Sequence, residues 1–238
     1  MINVKFEVIT LKEQIQIIEN FLSSKNQTSE FISEFFGFNF NFIKRNDIKI
    51  KLTKLYNERV EDLSSSCLRF QKVWNDNCEM INIELIKIFG KEFDFECTAY
   101  VNLNPVWPRY LEAKCFDVNL DASEDYLLSA STHEIIHFIW FEIWKETFPN
   151  IKKDEYDYPN LSWLISEIAI EPIFRFSKLN NLSNTHPAYD YFYTEKIGNK
   201  TIVEIANDIF KYSKDIKDFQ LNIYKFFKDN EETNKLIK

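Results

Sequence analysis

"SEDYLLSASTHEIIHFIWFEIWKETF", residues 123 to 148, decides how this chain is read. Positions 126 to 141 contain no Pro or Gly, Ser123 stands where a helix N-cap belongs, Glu124 and Asp125 suit a first turn, and Pro149 stops the run. A long helix is therefore predicted over 123–148. It carries two of the chain's three histidines, His133 and His137, with Glu134 directly after the first. Residues four apart lie one turn apart on the same helix face, which suits two adjacent corners of a tetrahedral metal site. Glu134 projects roughly 100° around the axis from His133 and about 60° from His137. There it is too far round to be an easy third ligand, but it can reach a water held by the ion. H-E-x-x-H thus puts two ligands and a base on one rigid rod. The histidine face continues into Trp140 and Trp144, while Glu142, Lys145 and Glu146 fall on the far side, so the metal face merges into a buried one. The plain alternative is two packed histidines, and a chain with 3 histidines has few to pair by accident.

A catalytic zinc needs a third protein ligand and one open position. Downstream, "SWLISEIAIEPIF" (162–174) places Glu167 and Glu171 four apart in a segment whose other polar side chains are Ser162 and Ser166. A helix is predicted from Leu161 to Leu179, capped by Asn160 or Ser162. Buried carboxylates are costly unless paired or bound to a cation, and a metal with a histidine N–H nearby would satisfy both. Arg175, four beyond Glu171, offers an ion pair as the alternative.

H-E-x-x-H on one helix and E-x-x-x-[DE] on the next resembles the gluzincin metallopeptidases, the thermolysin-like and aminopeptidase-like clan. The resemblance covers roughly residues 93–175. It implies a Zn2+ cofactor held by His133, His137 and Glu167, with Glu171 orienting His133 through its ring N–H. It implies a zinc-dependent peptidase acting on a peptide or protein substrate, with Glu134 as general base and an edge strand beside the metal for an extended peptide. Such enzymes add a His or Tyr to hold the oxyanion. His186, Tyr189, Tyr191 and Tyr193 lie in one irregular segment that suits this role; spacing does not choose among them, and His186 and Tyr191 are carried as candidates. Two departures stand out. The gap from His137 to Glu167 is longer than the family's usual spacing, and the Gly-rich motif that reads a free amino terminus is absent.

Other metal chemistries fit less well. Cys115 lacks the neighbouring Gly of deformylase-type sites. A di-iron bundle needs two E-x-x-H motifs, and only Glu134 to His137 qualifies. A non-catalytic zinc-binding or scaffold protein stays open, with His186 as a fourth ligand closing the site.

The rest of the chain sets the frame. Its 238 residues suit one domain: a helical N-terminal part (1–90), a zincin-like catalytic core (91–180) and a helical C-terminal part (181–238). With 3 Gly and 6 Pro, long regular elements are expected. A net charge of −8 argues against a nucleic-acid partner. No apolar run approaches the ~18 residues that span a bilayer, and no secretory signal is visible, so neither a membrane nor export is expected. Cys67, Cys78, Cys97 and Cys115 form no C-x-x-C pair, and free thiols in a reducing cytoplasm are expected. Oligomeric state is left open.

Residues 2–9 read as a strand and Leu11 to Leu22 as a helix. Residues 28–48 read as irregular, and 48–89 as one very long helix or two in series, stopped by Gly90. Strands are expected at 93–103 and 113–120, joined as a hairpin by the Pro-containing stretch 104–110. The stretches 152–159 and 180–198 read as loops, 201–212 and 215–228 as helices, and the tail as solvated. The fold class expected is α+β, mainly helical, with a zincin-like core and a small antiparallel sheet or hairpin beside the helix 123–148.

Overall fold

The computed structural model describes residues 1–40, 44–182 and 187–236. The chain is mainly helical with a small mixed sheet and a two-stranded hairpin. In order it forms β1 (Ile2–Val8), α1 (Leu11–Ser23), α2 (Gln27–Phe35), α3 (Arg45–Glu58), α4 (Val60–Phe89), β2 (Phe95–Asn102), β3 (Arg109–Tyr110), β4 (Cys115–Asn119), α5 (Glu124–Thr147), α6 (Leu161–Arg175), β5 (Lys196–Ile197), β6 (Lys200–Thr201), α7 (Ile202–Tyr212) and α8 (Ile216–Asp229). Two compact units share these elements. A sheet unit comprises Asn3–Asp76 and Glu96–Leu127; a helical unit comprises Met1–Ile2, Asn77–Phe95 and Leu128–Lys238. Among the described residues, no helix is long and apolar enough to cross a membrane.

In the sheet unit the strand order is β1-β2-β4-β3. The expected hairpin is corrected: β2 and β4 run parallel, with Thr98 opposite Cys115 and Asn102 opposite Asn119. The connection itself supplies the antiparallel partner, Arg109 and Tyr110 pairing with Phe116 and Cys115. Pro105 and Pro108 force one reversal, the turn at 111–114 a second, and two reversals restore the original direction. β1 lies at the open edge of this sheet. The Gln71 amide of α4 receives the Phe6 N–H at 3.0 Å and donates to the Val4 carbonyl at 2.9 Å, so a helix side chain stands in for a neighbouring strand. The Cys67 thiol donates to the Phe6 carbonyl at 3.1 Å beside it.

One further expectation changes here, and one open alternative is decided. The segment read as irregular from residue 28 holds α2, started by a reciprocal Asn26–Ser29 capping box. The long 48–89 pattern resolves into two helices in series. Arg59 at the break pairs with Asp62 and, at 2.7 Å, with Asp121.

The helical unit is built around α5 and α6. Every residue of α6 from Leu164 to Phe174 is buried, as a helix apolar on all sides must be. It ends at Arg175, four residues before the expected Leu179. A 3-10 turn at Lys178–Asn181 follows, capped by Ser177. Trp140 and Trp144 of α5 are fully buried. Phe219 of α8 packs edge-on against Trp140, and Gln220 donates to the Trp140 carbonyl at 3.1 Å while receiving the Thr147 hydroxyl at 2.8 Å. Asn82 of α4 clasps Ile2 as Gln71 clasps its strand, receiving its N–H at 2.8 Å and donating to its carbonyl at 3.0 Å. Gly90, at φ +72°, ends α4 in the left-handed region that only glycine enters freely. Within the stretch 180–198 the chain forms a 3-10 turn at Asp190–Tyr193, and the β5–β6 hairpin turns through Gly198. The tail, expected to be solvated, forms a 3-10 turn at Glu231–Lys235 with Thr233 buried.

Asp117 on β4 is fully buried. Burial pushes its carboxyl up to about 7, although the side chains of Asn102 and Asn104 pull the other way. In the unfolded chain it ionises near 3.9. A raised folded value means the unfolded state releases its proton first, so stability falls as pH rises from about 4 to 7. Asp117→Asn should therefore stabilise the chain at pH 8, by on the order of 3 kcal/mol, with the gain fading toward pH 4. Urea unfolding of both proteins across that range checks this; a gain independent of pH would contradict it.

Candidate metal centre

His133 and His137 sit one turn apart on α5, as their spacing requires. His137 is fully buried, His133 half-buried, and Glu134 is 8% exposed. Glu167 of α6, 3% exposed, meets both imidazoles. His133 Nε2 lies 2.8 Å from His137 Nε2 and 3.2 Å from Glu167 Oε2, and His137 Nε2 lies 3.4 Å from the same oxygen. Ligand bonds of 2.0–2.1 Å in a tetrahedron give edges of about 3.3 Å, so the three atoms fit one face of a zinc-sized site. This trio is the metal-ligand cluster found among the described residues.

The proton positions sharpen the point. His133 Nδ1 is 3.0 Å from the Pro187 carbonyl. A carbonyl only accepts, so Nδ1 carries the proton and, in neutral imidazole, Nε2 presents its lone pair. That lone pair faces a carboxylate oxygen and a second imidazole nitrogen. The three atoms are satisfied either by a proton among them, donated from His137 Nε2 or held on His133, or by a shared cation. The pull is visible in His133: burial would lower its affinity for a proton, but Glu167 and Glu134 more than offset it and hold it above the ordinary range.

The other expected residues fall out differently. Glu171 does not orient His133. Its Oε1 is held by Arg175, at 2.6 Å from Nε and 2.5 Å from Nη2, and its Oε2 receives the Tyr193 hydroxyl. Both oxygens are thus taken within α6 and from the Asp190–Tyr193 turn, and the orienting acceptor is the Pro187 carbonyl. A backbone carbonyl supplied by a loop has no side-chain signature, which is why the sequence pointed to the acid instead. His186 lies outside the described residues. Tyr191 is half-buried, and burial together with the charges of Glu167 and Tyr158 pushes its hydroxyl up to about 12. Tyr189, 49% exposed, stacks on Tyr191 at 5.9 Å. Cys115 is a buried free thiol of β4. The loop before α6 is tied down by Tyr156, stacked at 4.5 Å on Phe141, which in turn stacks on His137 at 6.4 Å.

Tyr193→Phe removes one donor from a nearly buried carboxylate. It should cost about 1–3 kcal/mol in urea unfolding, as expected when a charged acceptor loses its partner. A loss below a few tenths would mean that Arg175 alone satisfies Glu171.

The chain matches no protein-family model, no curated protein and no solved structure, so its functional reading rests on this geometry.

Proposed function

We propose that the chain is a zinc-dependent peptidase that hydrolyses peptide bonds. The observation that carries this reading is the tetrahedral-face fit of His133, His137 and Glu167, with Glu134 on the same rod beside them. Two imidazoles and a carboxylate form a donor set suited to zinc, and three protein ligands leave a fourth position free. When bound, such an ion acts as a Lewis acid toward a water and a substrate carbonyl.

The protein's own groups supply the remainder. The Pro187 carbonyl holds His133 in the tautomer that turns Nε2 toward the site. Glu134 accepts the proton of the attacking water and passes it to the leaving amine. Tyr191 keeps its proton across the neutral range, so it can donate a hydrogen bond to the developing oxyanion. Tyr193 is committed to Glu171 and does not compete for this role. A structural ion without turnover is the second reading, favoured by the low exposure of Glu134, 8%.

Metal analysis by mass spectrometry and a peptide-turnover assay separate them. Wild type should carry about one zinc per chain, and Glu167→Ala should lose it. Glu134→Gln should keep the metal and lose at least about 100-fold in kcat. Wild type purified without chelator and still metal-free after added zinc would overturn the site. Zinc-loaded wild type without turnover would leave the structural reading, and full turnover in Glu134→Gln would overturn the mechanism.

A further inference from the structure

A single peptide group stands between His133 and a tyrosine on its other side. The Pro187 carbonyl receives the His133 Nδ1 proton at 3.0 Å. The N–H of the same peptide group belongs to Ala188, and it donates to the Tyr193 hydroxyl. That hydroxyl in turn donates to Glu171 Oε2, while Arg175 Nε holds the other oxygen of Glu171 at 2.6 Å. A trans peptide is planar, with its C=O and N–H on opposite edges. The group is thus gripped on one edge by the imidazole and on the other by the phenol. It cannot turn without breaking one of the two bonds.

The donors from His133 to Tyr193 all point the same way, toward the Glu171 carboxylate. Hydrogen bonds arranged head to tail polarise one another, and more so away from water. Glu171 and Ala188 are buried, and Pro187 and Tyr193 are half-buried. Phe192, fully buried, seats the 3-10 turn that carries Tyr193, so the hydroxyl arrives at a set place. Burial, together with the hydrogen bond to Glu171, holds that hydroxyl above its ordinary range. It therefore keeps the proton it donates throughout the neutral range.

We propose that Tyr193 is a positioning residue for the metal centre. By holding the 187–188 peptide group it fixes His133 with its proton on Nδ1 and its Nε2 lone pair toward His137 and Glu167. Glu171 anchors the hydroxyl that does so. The consequence for zinc rests on the metal-site reading; the effect on His133 rests on the hydrogen-bond chain alone.

Nitrogen-15 NMR of the histidine-labelled, metal-free chain at about pH 9, where imidazoles are neutral, and calorimetric titration with zinc test it. In wild type, His133 should be protonated on Nδ1. Tyr193→Phe keeps the ring and loses the hydroxyl. There the other tautomer of His133 should appear, and zinc should bind at least about tenfold more weakly, the usual scale for losing a group that orients a metal-bound imidazole. Thr147→Val controls for lost stability alone. It removes a hydroxyl that donates to Gln220 at 2.8 Å in the same helical unit, and it should leave both the tautomer and the zinc affinity unchanged. An unchanged His133 tautomer in Tyr193→Phe, or an equal loss of zinc affinity in Thr147→Val, would overturn the proposal. Wild type that takes up no zinc would overturn the metal site instead, and the tautomer comparison would still decide whether Tyr193 positions His133.

Discussion

Two imidazole nitrogens and a carboxylate oxygen facing one another inside an apolar helix pair are the constraint on which the helical unit turns. At 2.8–3.4 Å they must share a proton or a cation. Arg175, one turn further along α6, is engaged by Glu171. The arrangement therefore either shares a proton among these groups or takes up an ion. The first would make it a buried hydrogen-bonded cluster of modest net value. The second is the basis of the proposed activity.

The same rule, that a buried polar group must find a partner, explains the rest of the scaffold. Gln71 and Asn82 of α4 satisfy both polarities of backbone along β1, which would otherwise be an open sheet edge. Gln220 does the same where α8 meets the end of α5. Glu171 is satisfied so completely by Arg175 and Tyr193 that Glu167 alone is left to face the histidines. The two acids of α6 thus have distinct tasks, one holding the helix against its neighbours and the other facing the site.

Under the proposed reading, the chemistry sits on rigid helices and its support on the loops around them. α5 contributes two ligands and the base, and α6 contributes the third ligand. The segments flanking α6 contribute Pro187 and the tyrosines, tied down by stacking of Tyr156 on Phe141 and of Tyr189 on its neighbours.

Much of this was legible in the chain itself. The 3.6-residue period and end signals marked α5, α7 and α8 closely, because caps and breakers are local chemistry. The i, i+4 spacing alone placed His133 over His137, and the apolar setting of Glu167 announced a carboxylate in need of a partner. Tertiary structure decided the rest. Whether β4 ran parallel or antiparallel to β2 depended on how many times the chain reversed between them, and the two residues of β3 were too short to register as a strand. Which partner Glu171 took depended on Tyr193 reaching it from a distant turn. The tautomer of His133 depended on a backbone carbonyl 54 residues away, a group every residue carries and no sequence distinguishes.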